Sequence, residues 1–509
     1  MARLTPRPRR RIRVSWRRIL SRAFKLAAVA GVVVLAWQTY AHLFERRETT
    51  FADDAEFFKY GPIGNEAADG LPHKIWAVLP KVCPKLIDAR GLPEGREYEA
   101  FGFLFEDGRD HPIGFSKTRI GFDRVAINCA VCHSQRYTLA PDAPPVTVIG
   151  GAANRLDSLA YLRFISGCVG GPDFTADTVL AAVSERFPDT TWFESLTYRL
   201  AVIPMMRDAV LKTLTERYAW TWDRPAWGPG RVDPFNPVKF DYLRQPIDKT
   251  VGNSDMMLIW NTEEKVALSR KLHGDRPVWW HYDGLSSDLW EVILNSAFGD
   301  GTRGAEFKEE TFRRIEAYLR ELKSPKAPLP PNEPLRAAGE AVFNRECASC
   351  HGLSGKRTLT LIPKDEIGTD PNRLAMWTAA ATAAYNAYDD PTGKNRWRFD
   401  NFHNNEAYLA QPLWGVWLAA PYLHNGSVPT LYDLLRPPAE RPKAFIRGLE
   451  QIDVKNGGYV APPCDPASHV GPGFCYDTAQ QGNSPQGHDY GTALSEAEKR
   501  ALVWYLMSL

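Results

Sequence analysis

Two short motifs of cysteine and histidine are the parts of this sequence best suited to chemistry. They are Cys129-Ala130-Val131-Cys132-His133 and Cys347-Ala348-Ser349-Cys350-His351. In a Cys-x-x-Cys-His motif, the two thiols add to the vinyl groups of a haem and the histidine binds its iron. A redox dithiol or half of a zinc site would leave both histidines without a role, and the sequence has no second Cys-x-x-Cys pair at zinc-ribbon spacing. The motifs therefore predict two covalently attached c-type haems, with His133 and His351 as iron ligands.

Predicted helices lie before the second motif and at the C-terminus, the positions that helices occupy in a haem module. Residues 335–345 form a predicted helix that leads directly into Cys347. The chain ends in another predicted helix, which opens with Ser495 and Glu498 at capping-box spacing. A helix, a haem turn and a closing helix make the plan of a class I cytochrome c. The amphipathic segment 311–323 closes the first half in the same style, which suggests an internal repeat.

The proline-rich segment 325–334 is the best domain boundary in the sequence. It separates a first haem domain, residues 46–324, from a second haem domain, residues 335–509. More than 200 residues lie between the two motifs, far more than two bare modules need. We therefore expect a mainly α protein with two cytochrome c-like haem modules and long loop-rich insertions, preceded by one N-terminal transmembrane helix.

The N-terminus, residues 1–45, combines a basic tail with an apolar run. Residues 1–25 contain ten Arg or Lys and no acidic residue, and residues 26–44 are an export segment. The rest of the chain has 52 basic and 60 acidic residues, a net charge of about −8 that argues against a nucleic-acid partner. By the positive-inside rule, the tail stays in the cytoplasm and the helix anchors a periplasmic body to the inner membrane. The alternative is a signal cleaved near Thr39-Tyr40-Ala41, which would release the body to the periplasm.

Four cysteines lie outside the haem motifs, and an oxidising periplasm permits them to form disulfides. Cys464 and Cys475 flank a loop rich in Pro and Gly and form the candidate pair. Cys83 and Cys168 are then the pair that remains. Buried, reduced thiols are the alternative.

A longer segment resembles a known group of proteins. Residues 418–431, Leu-Ala-Ala-Pro-Tyr-Leu-His-Asn-Gly-Ser-Val-Pro-Thr-Leu, resemble the Thr-Ala-Pro-Tyr-x-His-x-Gly signature of the bacterial di-haem cytochrome c peroxidase superfamily. The resemblance runs from about Pro112 to the C-terminus and implies haem-based redox chemistry without identifying a substrate. Further stretches resemble the branch that contains the di-haem rubber oxygenases: Asn128–His133, Trp280–Gly284, Ile367–Asp370 and Gly487–Gly491.

The resemblance also suggests a sixth iron ligand for the second haem. In the peroxidases a Met on the helix after the signature binds this haem, but residues 434–439 contain no Met. In the rubber oxygenases the corresponding haem has two histidines, and the distal one maps to His488. His424 and Met376 are the alternatives, and we expect His424 to be a hydrogen-bond donor to a propionate or a loop carbonyl instead.

No Met or His stands in an obviously ligating context for the first haem. Met205-Met206 and Met256-Met257 are expected to pack in the core. His281 either approaches a haem or holds the Asp283-Gly284 turn. Peroxidases of the superfamily carry a distal Glu or Gln and rubber oxygenases an apolar pocket lined by Phe, and the sequence assigns neither here. We expect an open or weakly occupied distal side at the first haem.

These expectations combine into one functional hypothesis. The chain is a membrane-anchored periplasmic di-haem cytochrome whose first haem activates peroxide or dioxygen and whose second haem supplies electrons. Its partners are a redox protein or a small-molecule oxidant. The alternative is a non-catalytic electron carrier with both haems six-coordinate. Trp279, Trp280, Trp414 and Trp417 are candidates for an aromatic bridge between the haems, with plain core packing as the alternative for each.

Overall fold

The computed structural model describes residues 16–47, 49–304, 306–388 and 398–509. The fold is mostly helical, as the sequence predicts, and its strands are short. The helices are α1 Trp16–Phe44, α2 Asp54–Tyr60, α3 His73–Val82, α4 Ser158–Gly170, α5 Ala176–Arg186, α6 Trp192–Thr197, α7 Ile203–Glu216, α8 Thr262–His273, α9 Leu289–Gly299, α10 Glu309–Glu321, α11 Glu333–Glu346, α12 Ala348–His351, α13 Lys364–Ile367, α14 Asn372–Met376, α15 Ala379–Asn386, α16 Leu431–Leu434 and α17 Glu496–Met507. The strands are β1 Arg46–Arg47, β2 Leu71–Pro72, β3 Phe115–Ile120, β4 Phe122–Ile127, β5 Ser134–Tyr137, β6 Val146–Ile149, β7 Arg231–Val232, β8 Ser254–Asp255, β9 Leu361–Pro363, β10 Ala407–Leu409, β11 Ala444–Arg447 and β12 Phe474–Asp477.

Antiparallel strands frame the first haem motif. The largest sheet has the order β1-β3-β4-β2, and β3 pairs with β4 from Phe115 opposite Ile127 to Ile120 opposite Phe122. β4 ends at Ile127, just before the motif, and β5 begins at Ser134, just after it. β5 then pairs with β6. Two strand pairs therefore hold the ends of the first motif.

The predicted helices near the second motif form with small shifts at their ends. The segment predicted at 311–323 is α10, and the one predicted at 335–345 is α11. Ser495 caps α17, and the reciprocal bonds between Ser495 and Glu498 complete the capping box. These features depend on residues close in sequence, which is why the pattern predicts them.

The N-terminal helix α1 stands apart from the body. Its segment Ile19–Ala41 is 23 residues long and apolar enough to cross a membrane, and none of it is buried in the protein. A membrane anchor and a signal sequence share these properties. Residues 1–15 of the predicted basic tail lie outside the described residues. Directly after the helix, β1 joins the sheet by pairing Arg46 with Ile120.

The proline-rich segment packs against the second half of the chain. Ala327 contacts the group of buried apolar side chains around α17. The Trp417 indole N–H donates to the Pro325 carbonyl at 3.1 Å. The same group of buried side chains includes Tyr137 and Trp260 from the first half. Both halves therefore share a core, and a division into separate domains stays a prediction.

The four cysteines outside the haem motifs form the two pairs that the sequence suggested. Cys83, next to the end of α3, is bonded to Cys168 in α4, with Cα atoms 5.6 Å apart. Cys464 is bonded to Cys475 in β12, with Cα atoms 5.9 Å apart. The four cysteines of the haem motifs are free thiols.

Candidate haem centres

The first motif forms a tight turn that its neighbours hold in place. Residues Cys129–Val131 make one 3₁₀ turn. Asn128 caps this turn, because its side-chain oxygen accepts from the Ala130 N–H at 3.0 Å. On the other side, a Cβ on Gly114 would lie 2.2 Å from the Val131 nitrogen, so a larger residue there would displace the turn. The two thiols are thus presented by a backbone that has little freedom to move.

Both thiols of the first motif are sheltered from solvent. Cys129 packs against one apolar cluster of the core and Cys132 against another, so the motif lies where two clusters meet. Burial raises the pKa of Cys129 to about 12 and also raises that of Cys132, and the Asp300 carboxylate adds to both shifts. Two half-buried thiols that do not pair with each other fit a role in covalent bonds to another group.

A backbone carbonyl orients the ring of His133. Its Nδ1–H donates to the Met257 carbonyl at 2.9 Å, which leaves Nε2 without a proton and available to a metal. Burial lowers the pKa of His133 to about 4 and keeps the ring neutral. This arrangement is typical of a metal-binding histidine.

The second motif lies at the end of a closely packed helix pair. α11 leads into Cys347 and crosses α17 at Gly339, where a Cβ would lie 2.1 Å from the Ala501 carbonyl oxygen. One turn later, the ring of Phe343 packs against that of Tyr505 at 5.2 Å. Gly339 and Phe343, four residues apart, share the face that contacts α17.

His351 is oriented in the same way as His133. Its Nδ1–H donates to the Gln411 carbonyl at 2.6 Å. Burial lowers the pKa of His351 and raises that of the Cys347 thiol to about 11. Each motif therefore combines free thiols with one neutral histidine whose second nitrogen is held by a carbonyl.

The ring of His488 faces that of His351. Their centroids are 6.2 Å apart and their planes differ by 43°. Two metal–nitrogen bonds of about 2 Å, with about 1 Å from each nitrogen to its ring centre, give a centroid separation of about 6 Å. Burial and the facing His351 lower the pKa of His488 to about 3, and its Nδ1 is buried without a hydrogen-bond partner in the described chain. An orphaned nitrogen of this kind is one that a bound ion or water satisfies.

Several backbone contacts hold His488 in this position. Its N–H donates to the Ile367 carbonyl at 2.8 Å. The preceding Gly487 passes so close to Gly368 that a Cβ would lie 2.3 Å from the Gly368 carbonyl carbon. The buried Arg441 donates to the carbonyls of Gly487 at 2.7 Å and of His488 at 3.2 Å. His488 has a φ of +52°, a sparsely populated conformation that its surroundings must impose.

The two alternatives to His488 lie in other surroundings. His424 stacks on Tyr408 with ring centroids 4.3 Å apart, and its Nε2 is 3.0 Å from the Tyr408 hydroxyl. That hydroxyl donates to the Asp370 carbonyl at 2.7 Å, so it accepts from His424. Met376 is fully buried in the core and its side chain lies against Gly252. The role of His424 in the structure is therefore a hydrogen bond, and that of Met376 is packing.

His281 keeps one ring nitrogen available. Its Nε2 is buried without a hydrogen-bond partner among the residues described, and its φ is +64°. The hydroxyl of the next residue, Tyr282, donates to the Met256 carbonyl at 3.4 Å, beside the carbonyl that orients His133. Within the described ranges, the rings of His281 and His133 are not in contact. No other ring there faces His133 as His488 faces His351.

A half-buried carboxyl group also lies near the first motif. The Asn65 amide donates to the carbonyls of Ile127 and Asp300, both at 2.8 Å, and so joins the start of the motif to the end of α9. Burial raises the pKa of Asp300 to about 7. A carboxyl group with such a pKa can take up and release a proton near neutral pH.

A tryptophan connects the segments that orient the two histidines. The Trp260 indole N–H donates to the Trp414 carbonyl at 2.9 Å. Trp260 follows Met257 by three residues, and Trp414 follows Gln411 by three. The segments that carry the carbonyls holding His133 and His351 are thus joined by one partly buried hydrogen bond.

The tryptophans suggested as a bridge have other surroundings. The Trp279 ring packs against His403 at 5.1 Å, and Lys265 lies over the ring of Trp280 at 4.5 Å. Trp417 is fully buried and packs against Tyr137 at 5.1 Å. Trp260 was not among the candidates, because no local pattern marks it out from other buried tryptophans.

The donor groups suit haem better than a bare metal ion. Among the described residues, no group of three or more His, Cys, Asp or Glu side chains is placed to hold a metal ion. Each motif instead presents thiols outside any disulfide and one carbonyl-oriented histidine, which is what covalent attachment of a c-type haem requires. The residues present therefore fit the group that the sequence predicts.

Three groups that position these histidines were missed by sequence reasoning. Met257 and Gln411 act through backbone carbonyls, which leave no mark in the residue type. Arg441 is an ordinary arginine in a loop until folding brings it to the 485–488 segment. The one available signal was the glycine-rich stretch Gly487–Gly491, which pointed to a tight backbone around His488.

Comparisons with known proteins bear on this interpretation. Residues 407–446 match a family model described as RoxA-like, cytochrome c-like. This segment contains both Gln411 and His424, and the match confirms the resemblance to the rubber-oxygenase-like cytochromes. Membership of the wider di-haem peroxidase superfamily stays a prediction.

Two relatives from Sinorhizobium fredii (strain NBRC 101917 / NGR234) extend the comparison. Uncharacterized protein y4iM is 36% identical over 191 residues, which cover 33% of this chain and 43% of that protein, less than half its length. Uncharacterized protein y4iJ is 37% identical over 532 residues, which cover 81% of this chain and 84% of that protein. The chain therefore belongs to the same family as y4iJ and carries a RoxA-like cytochrome c domain, which makes it a haem-binding cytochrome.

Proposed function

We propose that this protein is a membrane-anchored periplasmic di-haem c-type cytochrome and an oxidoreductase that acts on peroxide or dioxygen at its first haem. The first motif holds one haem through Cys129, Cys132 and His133. The second motif holds the other, with His488 as its sixth ligand. An iron with one protein ligand can bind peroxide or dioxygen, whereas an iron with two protein ligands transfers electrons.

The observation that carries the proposal is the difference between the two histidines. His351 has His488 opposite it at the separation that one iron requires. His133 has no such partner ring among the described residues, although its own orientation is the same. The two motifs share the Cys-x-x-Cys-His pattern, but the residues that surround their histidines differ. This supports a division of labour, with chemistry at the first haem and electron transfer at the second.

The protein's own groups have distinct roles in this scheme. The carbonyls of Met257 and Gln411 fix the tautomer and plane of the two proximal histidines. The bond from Trp260 to the Trp414 carbonyl holds the two segments at a constant separation, which electron transfer between fixed centres requires. Asp300 would hold or release a proton beside the first haem, because its carboxylate lies close enough to raise the pKa of both thiols of the first motif and its own pKa is raised to about 7.

Three features support a periplasmic location. The Ile19–Ala41 helix is long enough to span the membrane and is not covered by the protein. Two disulfides join the four remaining cysteines, as an oxidising compartment permits. Ten basic residues stand within residues 1–25, and the positive-inside rule assigns such a segment to the cytoplasm.

The electronic spectrum of the ferric protein tests the proposal. We expect equal amounts of low-spin and high-spin haem, with cyanide converting only the high-spin half. His488→Ala should make the second haem high-spin as well, so that cyanide converts both. His424→Ala is the matched control and should keep the original spectrum. A wild-type spectrum that is wholly low-spin and inert to cyanide would contradict the proposal.

The same experiment separates the runner-up function, an electron carrier with two six-coordinate haems. The unpaired Nε2 of His281 favours it, because a second ligand for the first haem would need such a nitrogen. In that case the wild-type protein is low-spin and inert, and His281→Ala creates a cyanide-binding haem. If His281→Ala leaves a protein that already binds cyanide unchanged, His281 only holds its turn.

A further inference from the structure

One helical segment exposes large apolar side chains on the surface of the body. α6, the π-helical turn Tyr198–Val202 and α7 form one continuous helix over residues 192–216. Its inner face is in the core, where Tyr198, Val202 and Met206 are buried. Its outer face carries an apolar stripe, which we define as Trp192, Leu196, Leu200 and Met205, with exposed fractions of 76%, 42%, 70% and 69%.

Such a helix is unusual in a protein surrounded only by water. A surface helix normally buries one apolar face and presents polar residues on the other, and contiguous exposed apolar surface marks a contact site. The stripe extends over 14 residues, or about 20 Å of helix. A surface of this length and composition requires a partner that is itself apolar.

The neighbours of this helix indicate what that partner is. The Glu45 carbonyl, at the end of α1, accepts from the Gly121 N–H at 2.7 Å in the turn between β3 and β4. The next residue of that turn, Phe122, packs its ring against Tyr198 at 5.8 Å. The point where α1 leaves the membrane is thus joined to the inner face of the helix through one short turn.

Aromatic residues lie at the C-terminal end of α1. Trp37, Tyr40 and Phe44 lie near its C-terminal end, are exposed, and contact one another in sequence, with centroids 6.3 Å and 5.5 Å apart. Trp and Tyr concentrate at the interface between lipid and water. The C-terminal end of α1, to which the helix over residues 192–216 is joined through Gly121 and Phe122, therefore marks the level of this interface.

We propose that the apolar stripe inserts into the periplasmic leaflet of the bilayer that α1 crosses. It is a second membrane contact, made by the insertion between the two haem motifs, and it fixes the orientation of the body on the membrane. The proposal rests on the membrane anchor of the proposed function. Its occupant is phospholipid, and neither a second copy of the chain nor another protein is required.

Photo-crosslinking of the full-length haem-loaded protein tests this contact. p-Benzoylphenylalanine replaces Leu200 in one variant and Val470 in the control, which is 96% exposed in the loop closed by Cys464–Cys475. Both proteins are placed in nanodiscs of phosphatidylethanolamine and phosphatidylglycerol. We expect about tenfold more phospholipid adduct at position 200 than at position 470, measured by peptide mass. Unchanged haem content shows that each variant is folded.

The mass of the intact chain distinguishes failure of this contact from failure of the anchor. Equal adduct yields at positions 200 and 470 in a chain that retains residues 1–45 overturn the contact and leave the anchor standing. Crosslinks between two copies at position 200, in place of lipid, also overturn it. If the chain is cleaved after residue 41, the anchor fails. The cleaved protein is then mixed with vesicles of the same lipids, where an adduct at position 200 supports the contact and its absence overturns it.

Discussion

Replacing Gly487 with alanine tests whether the backbone beside His488 sets the coordination of the second haem. Gly487 has a φ of +77°, a conformation that costs a residue with a Cβ about 1–2 kcal/mol. The new Cβ would lie 2.3 Å from the Gly368 carbonyl carbon and 2.4 Å from the Thr369 nitrogen. Ordinary contacts are 3.4–4 Å, so the two backbones must separate by about 1 Å. Neither contact is with a side chain that can rotate away.

A movement of this size is enough to change the iron ligands. A metal–nitrogen bond is about 2 Å long, and an extra 1 Å or so leaves no bond. We therefore expect the second haem of Gly487→Ala to become high-spin and to bind cyanide. The free energy of unfolding should fall by about 2–4 kcal/mol, from the backbone strain and the displaced loop together. The electronic spectrum and urea denaturation measure the two effects separately.

Gly491→Ala provides the matched control in the same loop. Its φ is +76°, but the nearest atom to a new Cβ is the Leu435 Cδ2 at 2.9 Å, the end of a flexible side chain. This variant should lose about 1–2 kcal/mol and keep a low-spin second haem. The reasoning is refuted if Gly487→Ala keeps the wild-type spectrum. It is also refuted if both variants become high-spin, because the close approach to Gly368 would then have no special effect.

Three further predictions concern the supports of the structure. Replacing the Cys83–Cys168 pair with serines should lower the free energy of unfolding by up to about 4.5 kcal/mol, because the bond closes a loop with a sequence separation of 85. A loss below about 1 kcal/mol in urea denaturation would contradict this loop-entropy argument. Arg441→Met removes the donor from the carbonyls beside His488, so it should cost about 2–4 kcal/mol and raise the high-spin fraction. If this variant keeps the wild-type stability and spectrum, Arg441 is not needed to position the loop that carries His488. Burial lowers the pKa of His73 from 6.5 to about 4, so between these pH values the unfolded chain binds a proton that the folded protein does not. This group should therefore lower the stability by up to about 3 kcal/mol as the pH drops through this range, and His73→Phe should remove that contribution from the profile measured by urea denaturation at each pH.

The features that the sequence predicts are those set by residues close together in the chain. The haem motifs, the capping box at Ser495 and the helix that leads into Cys347 all depend on neighbours within one or two turns. The disulfide partners were suggested by a local feature as well, because Cys464 and Cys475 flank one short loop and only Cys83 and Cys168 then remain. The number of haems and their attachment residues remain predictions of the same local kind.

The groups that orient the histidines depend on contacts between distant parts of the chain. Met257 lies 124 residues from His133, and Gln411 lies 60 residues from His351. Each contributes a backbone carbonyl, so any residue type would serve at these positions. The sheet that frames the first motif is similar, because β1 and β2 are only two residues long and exist through their pairing with β3 and β4. No periodicity can be read from two residues.

His488 depends on both local sequence and long-range contacts. It also explains why the two Cys-x-x-Cys-His motifs have different surroundings. Its loop resembles a stretch of the rubber-oxygenase branch, but the reason for its glycines is tertiary, since Gly487 must pass within van der Waals distance of Gly368 for the ring to face His351. In the described part of the chain, no aromatic or histidine ring faces His133 in the way that His488 faces His351. The difference between the two haem centres therefore arises in the chain that surrounds the motifs. Substitutions at Gly487 and Arg441 should change the chemistry of the second haem without altering any residue that binds it covalently.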